Sequence, residues 1–351
     1  MYFKNLKGRS LSAILMGIVC MFSSCIKDFP PIIKGGGFPG GKPIVFVAGE
    51  EWNGSFYVAR YWVDGQEIIL SDGTGNAITS SIFVSNSDVY VAGSDNKQFS
   101  GAVYWKNNKE IQLSSGGAAS SIFVSGNDVY VAGNDVGNAV YWKNSAEITL
   151  EKTNVYGSFG SSAANSVFVS GNDVYIAGYD GPNAVYWKNG EEKYLTTKNT
   201  TAGGIYVANS IYLSGNDVYI SGSIISATTQ FPQIWYWKNE VLVPVNQVDS
   251  FGQASSIFVS GNDVYLAGAQ MSDPTSMETA SYWKNGNANH LSSNDLNSWA
   301  NSIFVSGKNV YVAGYESLNP HFTYAVYWKD GVETKLTDGT HESLATSIFV
   351  K

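Results

Sequence analysis

The amino-acid sequence predicts an all-β fold in which seven four-stranded antiparallel sheets close into a ring. Three observations support this prediction. A short apolar segment recurs every 40 to 46 residues, both faces of each recurring unit are apolar, and each end of the chain carries part of one unit. A fixed period of this size is typical of repeated sheets stacked in an array or a circle.

Each unit carries three sequence signals that keep the same order along the chain. The first is a Ser-Ile-Phe-Val-like segment, which begins at Ser81, Ser121, Ser166, Ser210, Ser256, Ser302 and Ser347. The second is a Val-Ala-Gly-like segment, which ends at Gly49, Gly93, Gly133, Gly178, Gly222, Gly268 and Gly314. The third is a Tyr-Trp pair, which ends at Trp62, Trp105, Trp142, Trp187, Trp237, Trp283 and Trp328.

The unit Ser121–Leu150 divides into short strands separated by turn residues. Strand A covers Ile122–Ser125 and strand B covers Val129–Gly133, with Gly-Asn-Asp between them to supply the positive φ angles of a tight hairpin. Strand C covers Ala139–Lys143. A weaker strand D follows, as in Glu110–Leu113 of the preceding unit, and no window has a helical period.

Each sheet needs a neighbour on both sides. Successive side chains of a strand point to opposite faces, so Ala139 and Tyr141 lie on one face and Val140 and Trp142 on the other. Radial stacking of seven such sheets around an axis buries both faces and leaves only short outer edges. This is the architecture of a seven-bladed β-propeller.

The chain termini predict how the ring closes. The first unit starts with strand B at Ile44–Gly49 and has no strand A, whereas Ser347–Val350 forms a strand A with nothing after it. We therefore expect the segment 347–350 to complete blade one, so that the propeller occupies residues 44–351. The recurring order of these motifs over that region resembles kelch-like propellers at the level of the fold.

The N-terminal residues predict export and a lipid anchor. Basic residues precede the apolar segment Leu11–Phe22, which is too short for a stable membrane helix and indicates a secretory signal over residues 1–24. The segment Phe-Ser-Ser-Cys that ends at Cys25 resembles a bacterial lipoprotein signal. The resemblance implies that Cys25 is lipidated and holds the protein on a membrane; the alternative is an ordinary cleaved signal.

Residues 25–43 are rich in Gly and Pro and predict a flexible tether. Its start, Ile26-Lys27-Asp28, is similar to the signal that directs lipoproteins to the outer membrane of some Gram-negative bacteria. The resemblance implies a bacterial outer-membrane lipoprotein that faces either the cell surface or the periplasm.

The overall charge narrows the set of partners. The formal net charge of −8 argues against nucleic acid and anionic surfaces, which are bound through basic patches. The sequence contains no zinc-ligand spacing and no nucleophile motif, so it assigns no catalytic residue, no cofactor and no metal.

The sequence also predicts which face of the ring binds ligands. The A–B turns are nearly identical, whereas the B–C segments vary from Asn134–Asn138 to Ser223–Gln233 and the D–A links vary from Ser114–Ser120 to Glu151–Asn165. Both variable connections fall on one face, and function concentrates in loops. We call this face the variable-loop face and the opposite one the tight-turn face.

Two repeated polar features are expected near the variable-loop face. An acidic residue stands two positions after the strand B glycine in five blades: Glu51, Asp95, Asp135, Asp180 and Glu316. These carboxylates could ligate Ca²⁺ or, more simply, cap their own loops. A polar residue also precedes each repeat serine, as at Ser80 and Asn165, and these residues are expected to rim the central channel and to hold bound water.

Residues that break the repeat gather near the ring closure. They are Trp52, Trp299, Glu316, His321, His341 and Glu342. Exposed indoles beside carboxylates suit a sugar or peptide ligand, although both tryptophans could instead pack under their own loops.

Three function hypotheses follow. The first is a surface-anchored module that binds a carbohydrate or a protein through the variable-loop face. The second is a hydrolase or lyase that uses the carboxylates or histidines of blade seven, as in glycoside cleavage. The third is a structural module of an envelope assembly.

Overall fold

The computed structural model describes residues 41–97, 101–152, 161–195, 205–225, 232–245, 251–271, 276–292, 297–319 and 322–351. These residues form seven four-stranded antiparallel sheets, which confirms the seven-bladed β-propeller. The signal segment, Cys25, most of the tether and His321 lie outside the described residues.

Each blade is a meander in which successive hydrogen-bonded strands lie at increasing distance from the axis. Blade one contains β1 (Val45–Trp52), β2 (Tyr57–Val63), β3 (Gln66–Ile69) and the C-terminal β28 (Ser343–Val350). Blade two contains β4 (Ala77–Ser85), β5 (Asp88–Asp95), β6 (Gly101–Lys106) and β7 (Lys109–Gln112). Blade three contains β8 (Gly117–Ser125), β9 (Asp128–Asp135), β10 (Asn138–Lys143) and β11 (Ala146–Thr149). Blade four contains β12 (Ser162–Ser170), β13 (Asp173–Asp180), β14 (Asn183–Lys188) and β15 (Glu191–Tyr194).

The remaining blades have longer inner strands. Blade five contains β16 (Ile205–Ser214), β17 (Asp217–Ile225), β18 (Pro232–Lys238) and β19 (Val241–Pro244). Blade six contains β20 (Phe251–Ser260), β21 (Asp263–Met271), β22 (Thr279–Lys284) and β23 (Asn287–His290). Blade seven contains β24 (Asn297–Ser306), β25 (Asn309–Asn319), β26 (Phe322–Lys329) and β27 (Val332–Lys335).

The ring closes through the C-terminal strand, as the sequence predicts. β28 pairs antiparallel with β1 and is the innermost strand of blade one. Two further backbone bonds extend this pairing to the end of the chain, because Ile44 N donates to Lys351 O at 2.8 Å and Lys351 N donates to Ile44 O at 3.0 Å.

Strand A is longer than the sequence pattern indicates. In blade three it begins at Gly117 rather than Ile122, because a β-bulge between Ala119 and Ser121 lets the pairing with β9 continue past the polar pair. The same irregularity occurs in all seven described inner strands, so the polar pair lies within the strand and not at its start.

The repeat serine, which directly follows the bulge residue, joins each blade to the next. Its hydroxyl oxygen accepts a hydrogen bond from the backbone N–H of the following inner strand at 3.1–3.4 Å. The donor and acceptor pairs are Ile122–Ser81, Val167–Ser121, Ile211–Ser166, Ile257–Ser210, Ile303–Ser256, Ile348–Ser302 and Ile82–Ser347. The seven bonds make a continuous circle.

Two residues per blade explain how the sheets pack against each other. The repeated tryptophan is at most 1% exposed in every blade, and Trp187 packs against Tyr130 and Tyr141 of the preceding blade. The strand B glycine makes room for this ring, since a β-carbon at Gly133 would overlap the carbonyl oxygen of Ala118 and crowd the ring of Trp142. The glycine is therefore a packing requirement.

Seven aromatic side chains surround the axis between the bulge and the tight-turn face. Neighbouring rings lie 4.7–5.2 Å apart between centroids and form a closed circle. The members are Phe83, Phe123, Phe168, Tyr212, Phe258, Phe304 and Phe349. These seven side chains form an aromatic collar around the axis on the tight-turn side of the bulge.

Candidate functional site

The tight-turn face is occupied by a repeated cluster. In blade three, Lys143 Nζ lies 2.9 Å from Asp128 Oδ2 and 5.2 Å above the ring of Tyr130, and Asn144 Nδ2 donates to Asp128 Oδ1 at 2.8 Å. The amide oxygen of Asn144 also accepts a bond from Val129 N at 2.9 Å. The Lys–Asp pair recurs in blades two to six as Lys106–Asp88, Lys143–Asp128, Lys188–Asp173, Lys238–Asp217 and Lys284–Asp263. Because the same cluster occurs at the same place in each of these blades, we assign it to stabilising the two turns and not to binding a specific ligand.

The variable-loop face of blade one brings two predicted residues together. Trp52 N donates to Glu342 O at 2.8 Å, and the Trp52 ring meets the ring of Tyr57 edge-on at a centroid distance of 5.2 Å. The Glu342 carboxylate lies near the Tyr57 hydroxyl; burial, followed by the influence of this carboxylate, raises the pKa of Tyr57 to about 12. We call Trp52, Tyr57 and Glu342 the blade-one site.

A short loop supports the aromatic pair of this site. Asn53 Oδ1 accepts bonds from Ser55 N at 2.9 Å and Phe56 N at 2.8 Å, an arrangement that fixes the β1–β2 turn. In this turn Phe56 is 36% exposed. Asn53 Nδ2 also donates to Gly73 O at 3.1 Å and thereby ties the turn to the link into blade two.

A buried acid lies close to this site. Glu50 is 5% exposed, and its Oε2 accepts bonds from the N–H and the hydroxyl of Thr79 in blade two, each at 3.2 Å. Burial raises the pKa of Glu50 to about 7 despite the lowering effect of these bonds. Glu50 lies on the same face of blade one as Tyr57, because Glu50 pairs with Ala59 and Trp52 pairs with Tyr57. The charge of Glu50 contributes to the raised pKa of Tyr57.

Glu51 and His341 face the opposite side of the same blade. Arg60 is 8% exposed and forms ion pairs with Glu51, at 2.5 Å, and with Glu67. Burial raises the pKa of Glu51, and the charges of Arg60 and His341 oppose this effect. His341 is exposed, and its Nδ1 lies 3.1 Å from Thr340 Oγ1.

Glu316 has Glu333 as its carboxyl neighbour, and not Glu342, which the sequence groups with it near the ring closure. It is 4% exposed, and its pKa is raised to about 7 by burial and by the neighbouring Glu333, with Lys335 opposing the shift. The charge of Glu342 acts instead on Tyr57, whose pKa it raises. His321, the remaining candidate of blade seven, lies outside the described residues.

Trp299 belongs to the channel. It lies on the inner strand β24, and its indole N–H donates to Ser255 Oγ of blade six at 2.9 Å. The contacts of Trp52 are within blade one, so the two indoles that the sequence singles out have different surroundings.

Two acidic residues of the predicted carboxylate ring pair with different basic residues. Glu51 pairs with Arg60, Asp95 Oδ2 lies 3.2 Å from Lys97 Nζ, and Asp95 Oδ1 accepts a bond from Lys97 N at 3.1 Å. Asp180 is 1% exposed. The part of the chain that the structure describes contains no group of three or more Asp, Glu, His or Cys side chains able to hold a metal ion.

Sequence reasoning missed Glu50, Tyr57 and Thr79. A signal was present for two of them, because Thr79 stands where the other six blades carry alanine, as at Ala119, and Glu50 stands where blade two has Ser94. Both departures fall at the junction between blades one and two. Comparing each blade residue by residue would have found them.

Comparisons with known proteins place the chain by its fold. No protein-family model matches it, and no curated protein matches it in sequence. It is similar to the β-propeller domain of the Trilobed protease from Pyrococcus furiosus, at 12% identity and a TM-score of 0.48, over 86% of this chain and 96% of that one. It is also similar to TolB from Acinetobacter baumannii, at 11% identity and a TM-score of 0.43, over 88% of this chain and 82% of that one.

A third similarity is to the acylaminoacyl peptidase of Pyrococcus horikoshii, at 13% identity and a TM-score of 0.48, over 84% of this chain and 53% of that one. At such identities the likeness concerns the fold alone. Over the described ranges, no helix is long and apolar enough to cross a membrane.

Proposed function

We propose that this protein is a lipid-anchored module that binds a carbohydrate or a protein ligand through its variable-loop face. The observation that carries the proposal is the blade-one site, where two aromatic rings lie beside a carboxylate at the loop end of the propeller. Aromatic rings supply apolar contact area, and the carboxylate and hydroxyl supply orienting hydrogen bonds.

The contrast between the two faces supports this location. The tight-turn face repeats one Asp-Lys-Tyr-Asn cluster in blades two to six, whereas the residues of the blade-one site occur once. Specific recognition needs side chains that differ around the ring, because identical blades present identical chemistry at every position.

The lipid anchor is supported by sequence alone. The proposed lipid is carried by Cys25, and the Gly- and Pro-rich residues up to Lys42 separate it from the first strand of the propeller, which begins at Val45. Metabolic labelling with a palmitate analogue tests this point: the wild-type protein should be labelled and the Cys25→Ala variant should not. Equal labelling of the two would contradict the assignment.

A glycan array and a pull-down from envelope extract test the binding proposal. Wild-type protein should retain a specific glycan or protein, and Trp52→Ala should lose it by at least tenfold. The matched control is Lys143→Ala, which removes an exposed side chain from the tight-turn face and should retain the ligand. Retention by Trp52→Ala together with loss in Lys143→Ala would place the site on the wrong face.

A second candidate function is hydrolysis, and one observation favours it. Glu50, whose pKa is about 7, and Glu342 both lie near the Tyr57 hydroxyl. A carboxylic acid that keeps its proton near neutral pH can act as a general acid. Turnover of a bound glycan that disappears in Glu50→Gln, with binding retained, would favour this function over simple binding.

A further inference from the structure

The blade-one site offers a ligand two aromatic rings and one accessible carboxylate. Trp52 and Tyr57 are partly exposed, and Glu342, whose carboxylate lies near the Tyr57 hydroxyl, is exposed. The second carboxyl of this region belongs to Glu50, which is 5% exposed and accepts two hydrogen bonds from Thr79. Glu50 is therefore closed to a ligand, and Glu342 is the acid that a ligand can reach.

The carboxylate of Glu342 has no ion-pair partner among the described residues. Arg60 of the same blade pairs with Glu51 and Glu67 on the opposite face of the sheet. Lys97 of blade two has its Nζ 3.2–3.5 Å from three other carboxylates, those of Asp72, Asp95 and Glu110. Both basic side chains are thus engaged by other acids.

The tight-turn face shows how this protein completes a tyrosine that lies beside a carboxylate. Lys143 Nζ lies 2.9 Å from Asp128 Oδ2 and 5.2 Å from the centre of the Tyr130 ring. A lysine holds the same position in blades two to six, namely Lys106, Lys143, Lys188, Lys238 and Lys284. In each case one ammonium group contacts a carboxylate and an aromatic face together.

Blade seven contains the same combination in another place. Lys335 Nζ lies 4.0 Å from the centre of the Tyr324 ring and 3.8 Å from Glu333 Oε1. Within the described ranges, no lysine or arginine lies over the ring of Trp52 or Tyr57 in this way. The blade-one site therefore has the aromatic rings and the carboxylate of these clusters without their cation.

We propose that the blade-one site binds the ammonium or guanidinium group of a lysine or arginine side chain on a protein ligand. The inference rests on the proposed function and specifies its ligand, which is a protein with an exposed basic segment and not a neutral carbohydrate. The cation takes the role that Lys143 has in blade three. Glu342 is its counter-ion, and the ring of Trp52 or Tyr57 is its aromatic contact.

The charge of the whole protein favours such a ligand. The formal net charge is −8, and a protein of this charge attracts a basic partner before contact is made. A neutral saccharide can form hydrogen bonds with the carboxylate but leaves its charge without a counter-ion. Binding of a basic segment should therefore weaken as salt screens the attraction.

The test uses the full-length protein and three fluorescein-labelled peptides. The first contains four copies of Gly-Ser-Lys, the second has arginine in place of lysine, and the third has acetyl-lysine, which removes the positive charge. Fluorescence anisotropy should show binding of at least one basic peptide, and the acetylated peptide should bind at least tenfold more weakly. Raising NaCl from about 50 mM to about 300 mM should weaken binding of the basic peptide several-fold.

Three variants locate the binding. Glu342→Gln and Trp52→Ala should each weaken binding of the basic peptide at least fivefold, with melting temperatures close to that of the wild type. The matched control is Glu147→Gln, which removes an exposed carboxylate from blade three and should leave the affinity unchanged. Equal effects of Glu342→Gln and Glu147→Gln, or no binding of either basic peptide by the wild type, would overturn the inference.

One further outcome separates this inference from the proposed function. A neutral glycan could bind the wild type, be lost in Trp52→Ala and be retained at full affinity by Glu342→Gln. That result would support ligand binding at the blade-one site and would show that the ligand is not recognised through a cation.

Discussion

The backbone N–H of Ile82 donates a 3.1 Å hydrogen bond to the hydroxyl of Ser347, a residue 265 positions later in the chain. This bond joins blade two to the C-terminal strand of blade one. It is one of seven equivalent bonds, and it exists only because the last strand closes the ring. The repeated serine is a local sequence motif, but it acts through a hydrogen bond between residues that are far apart in the chain.

Ser347→Ala should lower the free energy of unfolding by about 1–2 kcal/mol, because it leaves the buried N–H of Ile82 without an acceptor. Chemical denaturation of the variant and the wild type measures the difference. Ser85→Ala is the matched control. Ser85 lies at the end of a strand A next to the A–B turn, and its substitution should change stability by less than about 0.5 kcal/mol. Equal effects of the two substitutions would argue against a structural role for the serine circle.

Trp142→Ala should destabilise the protein by about 3–5 kcal/mol, since the side chain is fully buried between blades two and three. The adjacent Lys143→Ala removes an exposed ion pair and should destabilise the protein far less. Urea unfolding monitored by circular dichroism separates the two effects. An unfolding midpoint in Trp142→Ala equal to that of wild type would be inconsistent with the packing described above.

Gly133→Ala should destabilise the protein by more than about 2 kcal/mol, because the added β-carbon overlaps the carbonyl oxygen of Ala118. The control is Gly126→Asn. Gly126 has φ +60° in an A–B turn, and blade two carries Asn86 with φ +53° at the same place. Thermal melting should show a large decrease for the first variant and a small change for the second; the reverse order would refute the packing explanation.

The buried acid Glu50 should make stability depend on pH. Its pKa is about 7 in the folded protein and near the ordinary 4.5 when unfolded, so the folded state holds more protons between these values. The free energy of unfolding should therefore fall as pH rises from about 4.5 to 7 and then level off, with Glu50 contributing about 3 kcal/mol to the decrease.

Denaturation of Glu50→Gln at pH 5 and pH 8 checks this prediction. The variant should lose much of the pH dependence and should be more stable than the wild type at pH 8. Glu316, whose pKa is also about 7, acts in the same direction, so the double variant Glu50→Gln/Glu316→Gln should show a further reduction. An undiminished pH slope in Glu50→Gln would show that its carboxyl is not desolvated.

The sequence predicts the propeller because its signals are local and repeated. Trp142, Gly133 and the Gly-Asn-Asp turn each mark a packing or turn requirement that recurs at a constant spacing. The ring closure is also predictable, since Ile44–Gly49 lacks an inner strand and Ser347–Val350 supplies one. Strand A was predicted too short because a bulge leaves no recognisable signal beyond a pair of polar residues.

The site is only partly predictable, because it depends on which residues meet across blades. The sequence singles out Trp52 and Glu342, but their contact with Tyr57 follows from the pairing of β1 with β2 and β28. The partner of Glu50, Thr79, is 29 residues away in another blade. The twist and packing of the blades decide which side chain faces each carboxylate. The spacing of residues in the sequence does not reveal these contacts.

Ligand binding at the variable-loop face should protect the backbone amides near the blade-one site. Hydrogen–deuterium exchange of the full-length protein, with and without the ligand identified by array or pull-down, measures this protection. We expect slower exchange on binding in residues 50–57 and 338–344 and no change in the turns at 126–128 and 144–145. Protection confined to those turns, with none at 50–57, would show that the ligand binds to the tight-turn face instead.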